Sequence, residues 1–125
     1  MGMAVEISPD QMARYRVAHR AQEAQRRQAL AVRLRALRAG AEAAGAVLQR
    51  DFGATRVLLF GSAAHGQGIH ERSDIDLAVE GIAAHDFWAA GAAAERAAGF
   101  ALDLVDLTYA QPSLAAHIQE TGIEL

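Results

Sequence analysis

LLFGSAAHGQGIHERSDIDLAV, residues 58–79, is the stretch on which the fold turns. An apolar run ending at Phe60 meets Gly61-Ser62, a polar loop bearing Gly66 and Gly68 follows, and a second apolar run is entered through Asp74-x-Asp76. Short runs of branched apolar residues bounded by glycine and polar clusters predict buried strands at Thr55–Phe60 and Ile75–Val79. Side chains alternate along a strand, so Asp74 and Asp76 share a face while Ile75 and Leu77 point to the other. Two carboxylates held that close repel one another unless a cation sits between them. Mg²⁺ suits the arrangement, because it takes oxygen ligands, keeps several waters and commonly binds through one or two carboxylates plus phosphates. Gly61 permits close approach to its backbone, the amides after it can converge on an anion, and Ser62 adds a hydroxyl donor.

Working outward, Ser8 is a plausible N-cap with Pro9 at the first helical position. A helical tract then runs to about Asp51-Phe52-Gly53. Its later half carries one apolar stripe, Leu30, Leu34, Leu37, Ala41, Ala44 and Leu48, in alternating steps of four and three. Gly40 and Gly45 weaken that helix without breaking the pattern. The earlier half has no comparable stripe and is crowded with Arg14, Arg16, Arg20, Arg26 and Arg27. The expectation is one domain over residues 1–125, with 1–29 an arginine-rich helical extension and 30–125 the core. Downstream, residues 84–99 read as a helix, with Phe87 and Trp88 as core residues. Ala101–Leu107 (ALDLVDL) is a third strand, and Pro112 opens a last helix that ends before Gly122. Helices alternating with three or four strands predict an α/β (α+β) fold: a small mixed sheet with flanking helices and a long N-terminal helix.

The third strand supplies a further acid. Asp103 is favoured over Asp106, which is three residues on and faces the opposite way in a regular strand. Asp103 is also flanked on both sides by core residues, where an unpaired carboxylate is costly.

Composition bounds the rest. A chain of 125 residues, 52% hydrophobic, is globular. It has no cysteine, which excludes disulfides and thiolate metal sites. Glu6 and Asp10 precede any apolar run and no stretch approaches a membrane span, so a soluble cytoplasmic protein without a membrane partner is expected. The net charge of −3 hides a division: residues 1–56 hold ten arginines against five acids, and 57–125 hold two arginines against ten acids. Lysine is absent. A solvated or partner-facing role for the arginine-rich helix is favoured over nucleic-acid binding. The five histidines show no metal-binding pair, and His65 and His70 read as solvated loop residues. Arg72 either meets a phosphate or offsets the local acids.

Gly61-Ser62, eleven residues, Asp74-x-Asp76 and then Asp103 together resemble the nucleotidyltransferase superfamily typified by DNA polymerase beta, and more closely its minimal, MNT-type members. The resemblance covers about residues 50–125 and includes the ending HIQETGIEL, which is similar to the family's final helix and strand. It implies a nucleotidyltransferase fold and a transfer assisted by two Mg²⁺ ions. Asp74, Asp76 and Asp103 would be the catalytic and metal-holding carboxylates, and Gly61 and Ser62, with Arg72 and Ser73 nearby, would hold the phosphates of ATP or another nucleoside triphosphate. It further implies a HEPT-like small helical protein as partner, in a homo- or hetero-oligomer. The chain would then be the antitoxin, moving AMP onto a tyrosine of that partner. The alternatives are transfer to a free small molecule or an RNA end, and a non-catalytic module that neutralises a toxin by contact.

Overall fold

The computed structural model describes residues 6–72 and 74–125. The first helix, α1 (Pro9–Phe52), is unbroken over 44 residues. Ser8 caps it: its hydroxyl accepts the Gln11 N–H at 3.2 Å, and Gln11 Oε1 accepts the Ser8 N–H at 2.9 Å. Two otherwise orphaned donors are thus satisfied reciprocally. The helix stops at Gly53, in the left-handed conformation.

Only the second half of α1 is anchored. Its buried residues are Leu37, Gly40, Ala41, Ala44, Gly45 and Leu48, while Leu30 and Leu34 are half-buried. Between residues 9 and 29 every residue is exposed except the half-buried Met12 and Glu23. That segment shows why no stripe is found there: none of its residues is buried.

After α1 come β1 (Arg56–Phe60), the one-turn helix α2 (Ser62–His65) and β2 (Ile75–Glu80). A 3₁₀ turn at Ala84–Asp86 leads into α3 (Phe87–Ala98), then β3 (Leu102–Asp106), α4 (Pro112–Thr121) and β4 (Ile123–Glu124). The described strands form one mixed sheet in the order β3-β2-β1-β4, with β1 antiparallel to both β2 and β4, and β2 parallel to β3. A parallel pair needs a crossover, and α3 provides it.

Each face of the sheet carries one apolar layer. Val57, Leu59, Ile75, Leu77 and Val79 pack with Leu37, Ala41, Ala44 and Leu48 of α1 and Ala90, Ala94 and Ala98 of α3. Leu58 and Ala78 pack on the other face with Leu107 and Ile118, supported by Phe60 and Val105. Gly40 is required where the two helices meet: a Cβ there would lie 2.7 Å from the Ala98 carbonyl oxygen. The weak helix former is a condition of close helix approach.

The mixed sheet, flanking helices and long N-terminal helix match the sequence reading, but Trp88 does not. Phe87 is half-buried against the core as expected, whereas Trp88 is 84% exposed. The buried face of α3 is Phe87, Ala90, Ala94 and Ala98, in steps of three and four. Trp88 lies about 100° around the helix from Phe87 and falls outside that face. The alanines admit a close helix, which leaves no room for a second large ring.

Candidate functional site

β1 delivers the chain into Gly61 at the top of the sheet. Gly61 has φ 74° and ψ −156°, a region essentially restricted to glycine. Ser62 is the first residue of α2 and is half-buried, with Gly61 at the N-cap.

The acids arrive on the neighbouring strands. Register places Asp76 opposite Phe60 of β1 on one side and opposite Asp103 of β3 on the other. Adjacent strands lie about 4.8 Å apart, and two residues along a strand span about 6.6 Å, which sets the scale of the Asp74, Asp76 and Asp103 cluster. Asp76 is half-buried, and Asp74 and Asp103 are exposed. Burial first, and then the charges of Asp103 and Asp74, push the Asp76 carboxyl above the ordinary aspartate value. A like-charged group in this state is relieved by a cation.

The turn and the Asp76 carboxylate lie against each other. The three atoms nearest to a Cβ built on Gly61 all belong to Asp76, Oδ2 first. Any side chain at 61 would occupy the space of that carboxylate. The donor set, hard oxygens clustered beside backbone amides, fits Mg²⁺ completed by water and phosphate. Among the described residues no three acid or histidine side chains are placed to hold an ion by themselves.

Asp106 is separate from this cluster. It pairs with Val79, and its carboxylate accepts the Thr108 N–H at 2.9 Å, shaping the turn after β3. Asp103 is exposed, so register with Asp76, rather than the burial expected from its apolar neighbours, is what sets it apart. Arg72 is exposed in a turn, its N–H donating to His70 Nδ1 at 3.1 Å. His65 and His70 are both exposed. Ser73 lies outside the described residues. The loop tip at His70-Glu71 borders α1 across a cleft also lined by Arg26, Leu30 and Arg33, so the helix walls one side of the loop.

Arg38 was not singled out by sequence reasoning. Its Nε donates to the Ala63 carbonyl at 2.9 Å and its Nη2 to the Ala64 carbonyl at 3.0 Å. A one-turn helix cannot satisfy its own carbonyls, and the guanidinium fork does so from α1. Leu34, one turn earlier, is the side chain nearest to a Cβ built on Gly66, at 3.2 Å. The Gly61-Ser62 turn and α2 are thus fastened to the long helix. The only hint in the sequence was Arg38 four residues after Leu34, on the flank of the apolar stripe.

Residues 42–125 match the family model "Polymerase beta, Nucleotidyltransferase". A solved structure described as a minimal nucleotidyltransferase is 34% identical, with a TM-score of 0.62, over 74% of this chain and 95% of that one. A toxin–antitoxin structure with AMP-PNP is 29% identical at a TM-score of 0.56, over 65% of this chain and 68% of that one. A mutant of the toxin–antitoxin MntA-HpeT is 28% identical at a TM-score of 0.52, over 62% and 65%. No curated protein matches. The chain belongs to the polymerase beta nucleotidyltransferase family and, within it, to the minimal type.

Proposed function

We propose that this nucleotidyltransferase moves AMP from ATP onto a hydroxyl of a protein partner, a tyrosine of a HEPT-like toxin, and so acts as its antitoxin. The observation that carries the reading is the contact between the Gly61 turn and the Asp76 carboxylate, with Asp74 and Asp103 alongside. The toxin–antitoxin neighbours, one with AMP-PNP, support the choice of partner and nucleotide.

In this reading the backbone at Gly61 and Ser62, with the Ser62 hydroxyl, holds the terminal phosphates. Asp74 and Asp76 are the residues that would hold Mg²⁺, with Asp103 completing the set. When bound there, Mg²⁺ supplies charge neutralisation to the phosphates and to the entering and leaving oxygens. Asp103, exposed on the edge strand β3, would orient the hydroxyl of the acceptor. The hydroxyl oxygen gives up its proton to a carboxylate of the site or to water and forms a bond to the α-phosphorus as the bond to the bridging oxygen breaks, and pyrophosphate leaves. Positioning and charge carry most of the rate enhancement in such a transfer.

The test is incubation with α-labelled ATP and a purified HEPT-like partner. Label enters the partner with the native chain, and is lost with Asp74→Ala and with Asp76→Ala while partner binding persists. Unchanged labelling in both variants refutes the reading. Neutralisation without labelling in either variant identifies a contact inhibitor instead.

A further inference from the structure

The exposed Trp88 is the centre of a surface with no structural task inside the chain. It lies beside Phe87 in an edge-to-face arrangement, ring centroids 5.9 Å apart. Together with Leu104, Val105 and Tyr109 these rings line a groove between α3 and the outer side of β3. Tyr109 is 77% exposed, on the turn that follows the strand. Single exposed apolar residues are ordinary, but a tryptophan, a tyrosine and an open groove together are informative. Among the described residues β3 pairs only with β2, so its outer edge also presents unpaired backbone groups.

The groove reaches the strand that carries Asp103. Val105 is two residues from Asp103 on the same strand and shares its face, about 6.6 Å along. Asp106 lines the groove, and Asp86 sits in the chain between two further lining residues, Ala84 and Phe87. An apolar middle with a charged rim is the anatomy of a protein interface, and tryptophan and tyrosine are the residues that most often dominate one. The acidic rim selects a partner whose own rim is basic.

We infer that this groove docks the acceptor protein, which inserts an apolar side chain between Trp88 and Tyr109 and sets a basic rim against Asp86 and Asp106. Docked there, the partner presents its hydroxyl toward Asp103. The inference rests on the adenylyl-transfer reading for the identity of the partner, and adds where and by what chemistry that partner is held. It also accounts for an aromatic ring left in water: the ring is buried only in the complex.

Trp88 is the one tryptophan in the chain, so fluorotryptophan incorporated into it gives a single ¹⁹F resonance from the middle of the groove. The full-length chain is titrated with a purified HEPT-like protein, and transfer from α-labelled ATP is measured in parallel. The resonance shifts on complex formation. Trp88→Ala and Tyr109→Ala each raise the KM for the acceptor protein roughly tenfold or more, while the KM for ATP holds. Labelling of the partner with an unmoved resonance and unchanged acceptor KM in both variants overturns the docking surface and leaves the transfer reading standing. A shifted resonance without labelling keeps the surface and removes the transfer reading. A shift produced by raising the concentration of this chain alone makes the groove a self-association face and overturns the proposal.

Discussion

Replacing Gly61 by alanine tests the centre of the site through stability alone. Two separate effects oppose the methyl group. The backbone at φ 74°, ψ −156° belongs to a region essentially closed to other residues, costing on the order of 1–3 kcal/mol. The added Cβ also meets the Asp76 carboxylate, and displacing a packed group costs roughly 1–3 kcal/mol more. The single variant therefore loses about 2–6 kcal/mol, or about 8–24 °C in Tm at this chain length. Asp76→Ala removes the colliding oxygens and leaves only Cβ of the three nearest atoms, at 3.5 Å, an ordinary contact. In that background Gly61→Ala retains only the backbone effect, about 1–3 kcal/mol. A double-mutant cycle by urea denaturation, with divalent cations chelated, isolates the difference as a coupling of about 1–3 kcal/mol. Additive variants, or a Gly61→Ala chain as stable as the native one, refute the placement of the turn against the carboxylate.

Arg38→Ala breaks both bonds to the α2 carbonyls, and at this partly exposed position about 1–2 kcal/mol of stability is lost. Because the turn loosens, the KM for ATP rises severalfold with the acceptor KM unchanged, and added guanidinium partly restores it; an ATP KM equal to the native value disproves the positioning role. Asp76→Asn addresses the raised carboxyl. Its folded value lies above the ordinary 3.8, so the folded state holds the proton more tightly and native stability falls as pH rises through that interval. The asparagine variant, free of this loss, melts higher than the native chain at pH 7 in chelator, with the advantage fading as pH drops below the ordinary aspartate value. Added Mg²⁺ raises the native Tm and closes the gap; a native chain already the more stable at pH 7 in chelator contradicts the cause given for the shift. Gly40→Ala improves helix propensity by about 1 kcal/mol yet lowers the Tm, because its methyl meets the Ala98 carbonyl. Thermal melting decides the sign.

Much of the fold follows from local pattern. Ser8-Pro9 and Gly53 bound α1 because a cap, a fixed φ and a left-handed stop act within one turn of chain. Alternation along 56–60 and 75–80 separates Val57, Leu59 and Leu77 from Leu58, Phe60 and Asp76, since the strand period is two. The same period predicts Asp74 and Asp76 on one face, although β2 itself begins one residue after Asp74, at Ile75. Gly61 and Ser62 mark the turn because few residue types tolerate that backbone.

Other features depend on what lies across the sheet. Asp103 joins the cluster by its register opposite Asp76, which strand pairing fixes across 27 positions of chain. Composition could not foresee its exposure, because flanking apolar residues face a layer that the carboxylate does not. Arg38 was one arginine among many until α1 was laid beside α2. Trp88 reads as core by residue type and lies in water because the alanine face of α3 had already filled the contact with α1 and the sheet. The residues of 58–79 dictate a turn, a loop and a second strand that carries Asp76 through backbone geometry alone. Packing between elements decides which other side chains reach that site and which ring is left outside it.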